Sequence, residues 1–322
     1  MASLDKIKED IKEDLLRLND LIRSRLVNDN PLMSDVIETF LKQKGKQIRP
    51  IIVMLCAGMQ GEVNDHVIEA AASVELLHNA SLVHDDVIDE STLRRNRPTV
   101  NAVWDNHIAV LIGDYFVSTA LQLAIATGDL RIINEIGQLG RLLSIGELDQ
   151  IYNARCHSLT EESYFRIIEL KTASLFVACA KVGCYASGAS DELTGKLAEI
   201  ARLLGLCFQI RDDIFDYFPS DGNIGKPTGN DLREGKITLP LIYALADKSL
   251  ADSADMNRLV AKDELSVAEI DVLYRYAIEG GGVDYAYAVM DKLRAKAAEV
   301  ASTFERPTPL MTLFDYIIER KF

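Results

Sequence analysis

A chain of 322 residues with 48% hydrophobic content has room for one large domain or two ordinary ones, with apolar material for a substantial core. Its formal net charge of −14 argues against nucleic acid or an anionic membrane surface as a partner. Only 8 prolines and 19 glycines exclude a loop-dominated or disordered chain.

The chain opens on the charged, helix-like Asp5-Lys6-Ile7-Lys8-Glu9, which does not resemble a signal peptide. Gly45-Lys46-Gln47-Ile48-Arg49-Pro50 then leads into a helix in which Ile48, Ile51, Ile52 and Leu55 follow the i, i+3, i+4, i+7 pattern of one buried stripe. Similar periodicity fills 66–90, 106–126, 131–151, 161–187, 191–218, 237–248, 267–279, 284–304 and 308–320. Between Phe218 and Leu239 the pattern lapses into a long stretch holding Pro219, Gly222, Gly225, Pro227, Gly229 and Gly235. Loops of that length in a compact domain tend to be functional, and this one carries Lys226 and Lys236, as a flap closing over charge would. Ser266 followed by Glu269 makes a capping box, and Gly280-Gly281-Gly282 separates the helices on either side of it. With no set of alternating strands and no Gly/Ser or Pro linker, the expectation is one all-α domain over 1–322 with ten or more helices.

No uninterrupted apolar run approaches the roughly 18–20 residues that span a bilayer. Cys56, Cys156, Cys179, Cys184 and Cys207 sit mostly in apolar helix-like segments without a C-x-x-C, and read as reduced core thiols. The expected protein is cytoplasmic, without stable membrane insertion.

Two copies of one acidic pattern carry the chemistry: Asp85-Asp86-Val87-Ile88-Asp89 and Asp212-Asp213-Ile214-Phe215-Asp216. Each reads D-D-x-x-D after an apolar run. On a helix the first and last aspartates lie about 40° apart on one face, so each motif aims two or three carboxylates into one small volume. Such like charges raise one another's pKa unless a cation neutralises them. Hard oxygen ligands on a rigid face suit Mg²⁺, which keeps several waters and takes remaining ligands from phosphate. A diphosphate held through magnesium is the reading. Solvated acidic faces explain one such motif, but two copies set in apolar sequence fit that explanation badly. Cations frame the first motif: Lys46, Arg49, His78, Arg94 and Arg95. Lysine and arginine grip phosphate directly, so diphosphate is held in two ways, implying two diphosphate substrates. His84 either orients an aspartate or is a satisfied core histidine.

Taken together the motifs resemble the trans-isoprenyl diphosphate synthases, the polyprenyl synthetase family. The matching residues are G-K-x-x-R-P at 45–50, H-x-x-S-L-x-H-D-D-x-x-D at 78–89 and R-R-x-x-P-T at 94–99. They continue with G-E-x-x-Q at 146–150, Lys171-Thr172, Q-x-x-D-D-x-x-D at 209–216 and G-K-P-x-G-x-D-x-x-x-G-K-x-T-L-P at 225–240. They run in the family's order over most of the chain. Asn96 stands where the family usually has glycine after the arginine pair.

The resemblance implies an all-α bundle around a deep central cavity, with the acidic motifs facing each other across its mouth, and a homodimer. It implies isopentenyl diphosphate on Lys46, Arg49, His78 and Arg95, and an allylic diphosphate on Arg94, Lys171, Lys226 and Lys236. Asp85, Asp89 and Asp212 would be the principal Mg²⁺ ligands, supported by Asp86, Asp213 and Asp216, with roughly three ions once substrate is bound. Thr172 and Gln209 match positions whose oxygens face the developing carbocation, with Lys171 beside them. The implied reaction joins isopentenyl diphosphate head-to-tail to the allylic diphosphate.

Product length follows pocket depth. Ala80 and Ser81 precede Asp85 by five and four residues, about 6–7.5 Å along the helix toward the floor. Bulky aromatics there close the pocket in family members. Both residues are small here, and Leu121 is the candidate for a deeper floor. The expectation is a long all-trans product, of the kind used for quinone side chains. The alternatives are a short-chain farnesyl or geranylgeranyl diphosphate synthase, or a non-catalytic partner subunit, against which the retained aspartates and cations argue.

Overall fold

A computed structural model of the chain describes residues 4–42, 45–94, 97–156, 160–218, 229–262 and 264–320. Helix is the rule, and among the described residues the one sheet is a two-stranded hairpin. Two compact units form, each from separated stretches of chain: Met1–Arg141, Leu175–Ala201 and Thr308–Leu310 in one, Leu142–Ser174, Arg202–Pro307 and Met311–Phe322 in the other.

The first unit begins with α1 (Leu4–Asp10), α2 (Lys12–Leu26), α3 (Pro31–Leu41) and α4 (Ile48–Gly58). Next comes α5 (Asp65–Ile88), which carries the first acidic motif at its C-terminal end. Asn64 starts it by accepting the backbone N–H of Val67, and residues from Val67 to Asp86 are buried on nearly every side. A helix apolar all round belongs at the centre of its unit. After α5, β1 (Leu93–Arg94) pairs antiparallel with β2 (Arg97–Pro98), a short hairpin that helical periodicity does not announce.

Beyond α6 (Val100–Val103), α7 (Asn106–Ala126) is the main neighbour of α5. Ser73 Oγ donates to the Ala120 carbonyl at 2.7 Å between them. By length and composition α7 is apolar enough to cross a bilayer. Asp114 interrupts it, and Ile112, Phe116, Ala120 and Leu123 are buried in protein. Four free cysteines, Cys56, Cys179, Cys184 and Cys207, are buried as the sequence suggests.

The chain continues through α8 (Leu130–Cys156), α9 (Glu161–Ile168), a π-helical turn at Glu169–Ala173, α10 (Ser174–Ala186) and α11 (Asp191–Phe215). The second acidic motif occupies the end of α11. The elements α12 (Asn230–Arg233), α13 (Leu239–Ala246), α14 (Ser253–Val260), α15 (Val267–Glu279) and α16 (Gly282–Ala301) belong to the second unit, as does α17 (Pro309–Glu319) from Met311 onward. The capping box forms at α15: Ser266 Oγ accepts from Glu269 N–H while the Glu269 carboxylate accepts from Ser266 N–H at 2.8 Å.

Candidate active site

In the first unit, the motif at the end of α5 divides its aspartates by direction. Asp86 turns inward and is buried, where Arg94 donates to its Oδ1 through Nε at 2.9 Å. The Arg94 Nη2 lies 2.8 Å from the same oxygen. Burial pushes the Asp86 carboxyl above the usual range, and the Arg94 guanidinium opposes that shift. Asn101 Nδ2, on α6, donates to the Asp86 and Ser91 carbonyls, tying α6 to the end of α5 and the residues just after it. Asp85 is half-buried and Asp89 exposed, one helical turn apart. Arg94, expected on a diphosphate, is therefore engaged by the motif's own middle aspartate.

The surrounding cations are placed unevenly. Lys46 is exposed in the segment leading into α4, and Gln47 beside it adopts left-handed backbone geometry with φ of 55°. The Arg49 guanidinium carbon lies 5.9 Å from the Phe176 ring centre. His78 is buried. Arg95 and Asn96, like Lys226, lie outside the described residues. His84 faces α7: a Cβ on Gly113 would fall 2.1 Å from its Nε2, so only glycine admits the ring there. Its Nε2 also lies 3.2 Å from the Val110 carbonyl.

The chain-length residues differ from one another. Ala80 is fully buried, whereas Ser81 is half-buried with its hydroxyl donating to the His78 carbonyl at 2.9 Å. Ser81 is thus the one of the pair with surface to offer a growing chain. Leu121 is 38% exposed and shares a stripe of α7 with the exposed Val110, Leu111 and Ile125, rather than the packed face.

In the second unit, the middle aspartate is again held by protein. Asp213 is buried, with Oδ2 accepting from the Tyr164 hydroxyl at 2.6 Å and Oδ1 from Gln209 Nε2 at 2.7 Å. Gln209 Oε1 in turn accepts from Thr172 Oγ1 at 2.7 Å. This chain of bonds joins the π-helical turn to the acidic motif. Burial raises the Asp213 carboxyl to about 7; Tyr164 and Gln209 oppose the shift, and the charges of Asp212 and Asp216 add to it. Asp216 Oδ2 accepts from the Asp231 N–H at 3.0 Å and from the Tyr274 hydroxyl. Asp231 is itself driven up by burial and by Asp213 and Asp216. Asp212 remains half-exposed and pairs with Arg320.

The π-helical turn presents Lys171 and Thr172. One extra residue in a helical turn re-aims the side chains around it, and such turns gather at functional sites. Lys171 Nζ pairs with the Glu147 carboxylate and lies 3.4 Å from Gln150 Oε1, both on α8. Gly146 permits the approach: a Cβ there would lie 3.0 Å from both Leu170 Cβ and Lys171 N. Lys236 pairs with Glu234 at 2.5 Å, and its N–H donates to the Asp231 carbonyl at 2.7 Å.

Among the described residues no three His, Cys, Asp or Glu side chains converge closely enough to hold a metal by themselves. The donors that each motif does offer are carboxylate oxygens spaced one turn apart. That suits Mg²⁺, which takes one or two carboxylates and completes its octahedron with water and phosphate. Tyr164, Tyr274, Asp231, Glu147 and Arg320 were not among the sequence candidates. Asp231 and Glu147 stand inside the quoted motifs, whereas Tyr164, Tyr274 and Arg320 have no local signal.

Residues 30–277 match the sequence profile of the family described as Polyprenyl synthetase. The octaprenyl diphosphate synthase of Haemophilus influenzae is 32% identical over 305 residues, which cover 95% of this chain and 92% of that one. The crystal structure of a decaprenyl diphosphate synthase from Rhodobacter capsulatus superposes with a TM-score of 0.91 at 32% identity, covering 99% of this chain and all (100%) of that one. A geranylgeranyl pyrophosphate synthase from Bacteroides thetaiotaomicron superposes with a TM-score of 0.84 at 35% identity, over 99% of this chain and 100% of that one.

Proposed function

Because the chain belongs to the polyprenyl synthetase family, a family of prenyltransferases, we propose that it uses magnesium to join isopentenyl diphosphate to an allylic diphosphate. Repeated head-to-tail addition makes a long all-trans polyprenyl diphosphate suited to a quinone side chain. The observation that carries this reading is the division of labour within both motifs. Asp86 and Asp213 are buried and held by protein donors, while Asp85, Asp89, Asp212 and Asp216 keep some exposure.

Asp85, Asp89 and Asp212 would hold Mg²⁺, with Asp216 assisting and roughly three ions present on the loaded enzyme. When bound, magnesium supplies positive charge to the leaving diphosphate. Lys171 and Lys236 add cationic charge to the same group as the allylic C–O bond breaks, Lys171 exchanging Glu147 for phosphate oxygens. Arg94 and Lys226 contribute to that grip in this reading. Thr172 donates a hydrogen bond to Gln209 Oε1, which leaves its hydroxyl lone pairs for the allylic cation in this reading. Lys46, Arg49, His78 and Arg95 hold the isopentenyl diphosphate, whose double bond attacks the cation. The new C–C bond forms, and the proton released from the adduct passes to the departed diphosphate. Apolar packing such as that of Ala80 and Val83 excludes the water that would quench the cation.

The chain acts as one catalytic domain, since the family match runs through segments of both units. A homodimer covers the exposed Val110, Leu111, Leu121 and Ile125 stripe of α7. We place the protein in the cytoplasm, in keeping with its unbridged described cysteines. The test is Asp85→Ala and Asp212→Ala, each assayed for isopentenyl incorporation and for melting temperature. Turnover falls by orders of magnitude with folding intact; near-normal turnover in either variant removes that aspartate from the metal set.

A further inference from the structure

The last described residue of the chain reaches the second acidic motif. We propose that Arg320 is a positioning residue for Asp212: its guanidinium holds one carboxylate oxygen and so sets the direction in which the other meets magnesium. The inference rests on the reading of Asp212 as a metal ligand.

The contact is built, not incidental. Arg320 Nη2 donates to Asp212 Oδ1 and lies 3.4 Å from the Phe208 carbonyl. Its guanidinium carbon sits 4.5 Å from the Phe208 ring centre and 5.2 Å from that of Phe215. Phe208, Asp212 and Phe215 follow i, i+4, i+7 spacing, so one face of α11 makes both the aromatic seat and the carboxylate. The main chain is gripped as well. The Arg320 carbonyl accepts from Arg211 Nη2 at 2.7 Å, and Arg211 Nη1 donates to the Tyr287 hydroxyl at 2.6 Å. Buried Leu313, Phe314 and Ile317 anchor α17 immediately before it.

These contacts decide what the pair is worth. An ion pair of two mobile surface side chains contributes little, because ordering them cancels the Coulomb gain. Here the Arg320 side chain is 8% exposed and already ordered by stacking and by its carbonyl, whereas that of Asp212 stays 40% exposed. The planar guanidinium stacks on aromatic rings as an ammonium cannot. A carboxylate can accept a charge-assisted bond on one oxygen and ligate on the other, as supporting shells of metal sites commonly arrange.

The test is Mn²⁺ binding by electron paramagnetic resonance, in the presence of inorganic diphosphate, on full-length protein. The variants are Arg320→Met, Arg320→Lys, Arg211→Met and Asp212→Ala, each also melted. Arg320→Met weakens Mn²⁺ binding about tenfold, the scale of one charge-assisted hydrogen bond. Arg320→Lys recovers part of that loss. Arg211→Met loosens the anchor and lowers the melting temperature, but costs less Mn²⁺ affinity than Arg320→Met. Unchanged or tighter Mn²⁺ binding in Arg320→Met overturns the inference, the latter because Arg320 would then compete for the metal seat. Losses that simply track melting temperature across both arginine variants also overturn it, leaving a structural clamp. If Asp212→Ala binds Mn²⁺ as the parent does, the metal reading itself fails, a result distinct from failure at Arg320 alone.

Discussion

Replacing Gly146 with alanine places a methyl carbon 3.0 Å from Leu170 Cβ and 3.0 Å from Lys171 N, with Leu170 C at 3.3 Å. Ordinary contact begins near 3.4 Å, so the π-helical turn has to retreat from α8 by about 0.4 Å or more. That turn carries Lys171 and Thr172, and Thr172 in turn orients Gln209. Catalytic groups need placement within about 0.5 Å, and a 1 Å error can cost about a hundredfold. Gly146→Ala should therefore lower turnover roughly tenfold. Stability moves much less. Overpacking costs about 1–3 kcal/mol, and replacing a helical glycine by alanine returns about 1 kcal/mol. For a chain of this size the melting temperature should fall by no more than about 4 °C. Steady-state incorporation of isopentenyl diphosphate, paired with a thermal melt, separates the two quantities. Parental turnover in a Gly146→Ala protein would refute the argument that close helix contact positions the turn.

Tyr164→Phe removes a donor from buried Asp213 and should cost about 1–3 kcal/mol when that carboxylate is ionised. Because burial raises Asp213 from 3.8 to about 7, its contribution to stability is fully present below about pH 4 and is lost as pH rises through 7 in metal-free protein. The Tyr164→Phe penalty should accordingly be larger at pH 8 than at pH 5, and equal penalties in two metal-free melts would contradict this. Ser81→Phe should shorten the product with little loss of stability, whereas Ala80→Phe at a fully buried site should cost about 1–3 kcal/mol as well. Product sizing and melting on both variants check the difference. Leu111→Asp, on the exposed stripe of α7 that the proposed homodimer covers, should give a monomer mass by light scattering where the parent gives a dimer, and an equal mass in the two proteins would contradict that interface.

The long helices were legible as long apolar stretches without strand alternation or breakers, but the stripe of Ile48, Ile51, Ile52 and Leu55 understates α4, where Val53, Met54, Cys56 and Ala57 are buried as well. In α2 the buried Leu15, Leu18, Ile22 and Leu26 keep the helical spacing, but charged and polar residues fill most positions between them and lower the apolar content of the segment. The period has no room to show in α6, α12 and α14, the longest of which has 8 residues. Nothing within Glu169–Ala173 announces a π-helical turn in a stretch that reads as one continuous helix. At the site, the two acidic motifs and the lysines were visible because their residue types and spacing carry the chemistry. Their supports were not. Tyr164 is 49 residues from Asp213, Tyr274 is 58 from Asp216 and Arg320 is 108 from Asp212, distances over which local pattern says nothing. The same limit affected Ala80: small size is evident in the sequence, but complete burial is a property of packing.

The most direct test incubates purified protein with Mg²⁺, isopentenyl diphosphate and farnesyl diphosphate, and sizes the products by mass spectrometry. The expected result is a ladder that extends beyond geranylgeranyl diphosphate and disappears when magnesium is chelated. A product that stops at geranylgeranyl would contradict the open pocket at Ser81, and no elongation from any allylic primer would contradict the transferase itself.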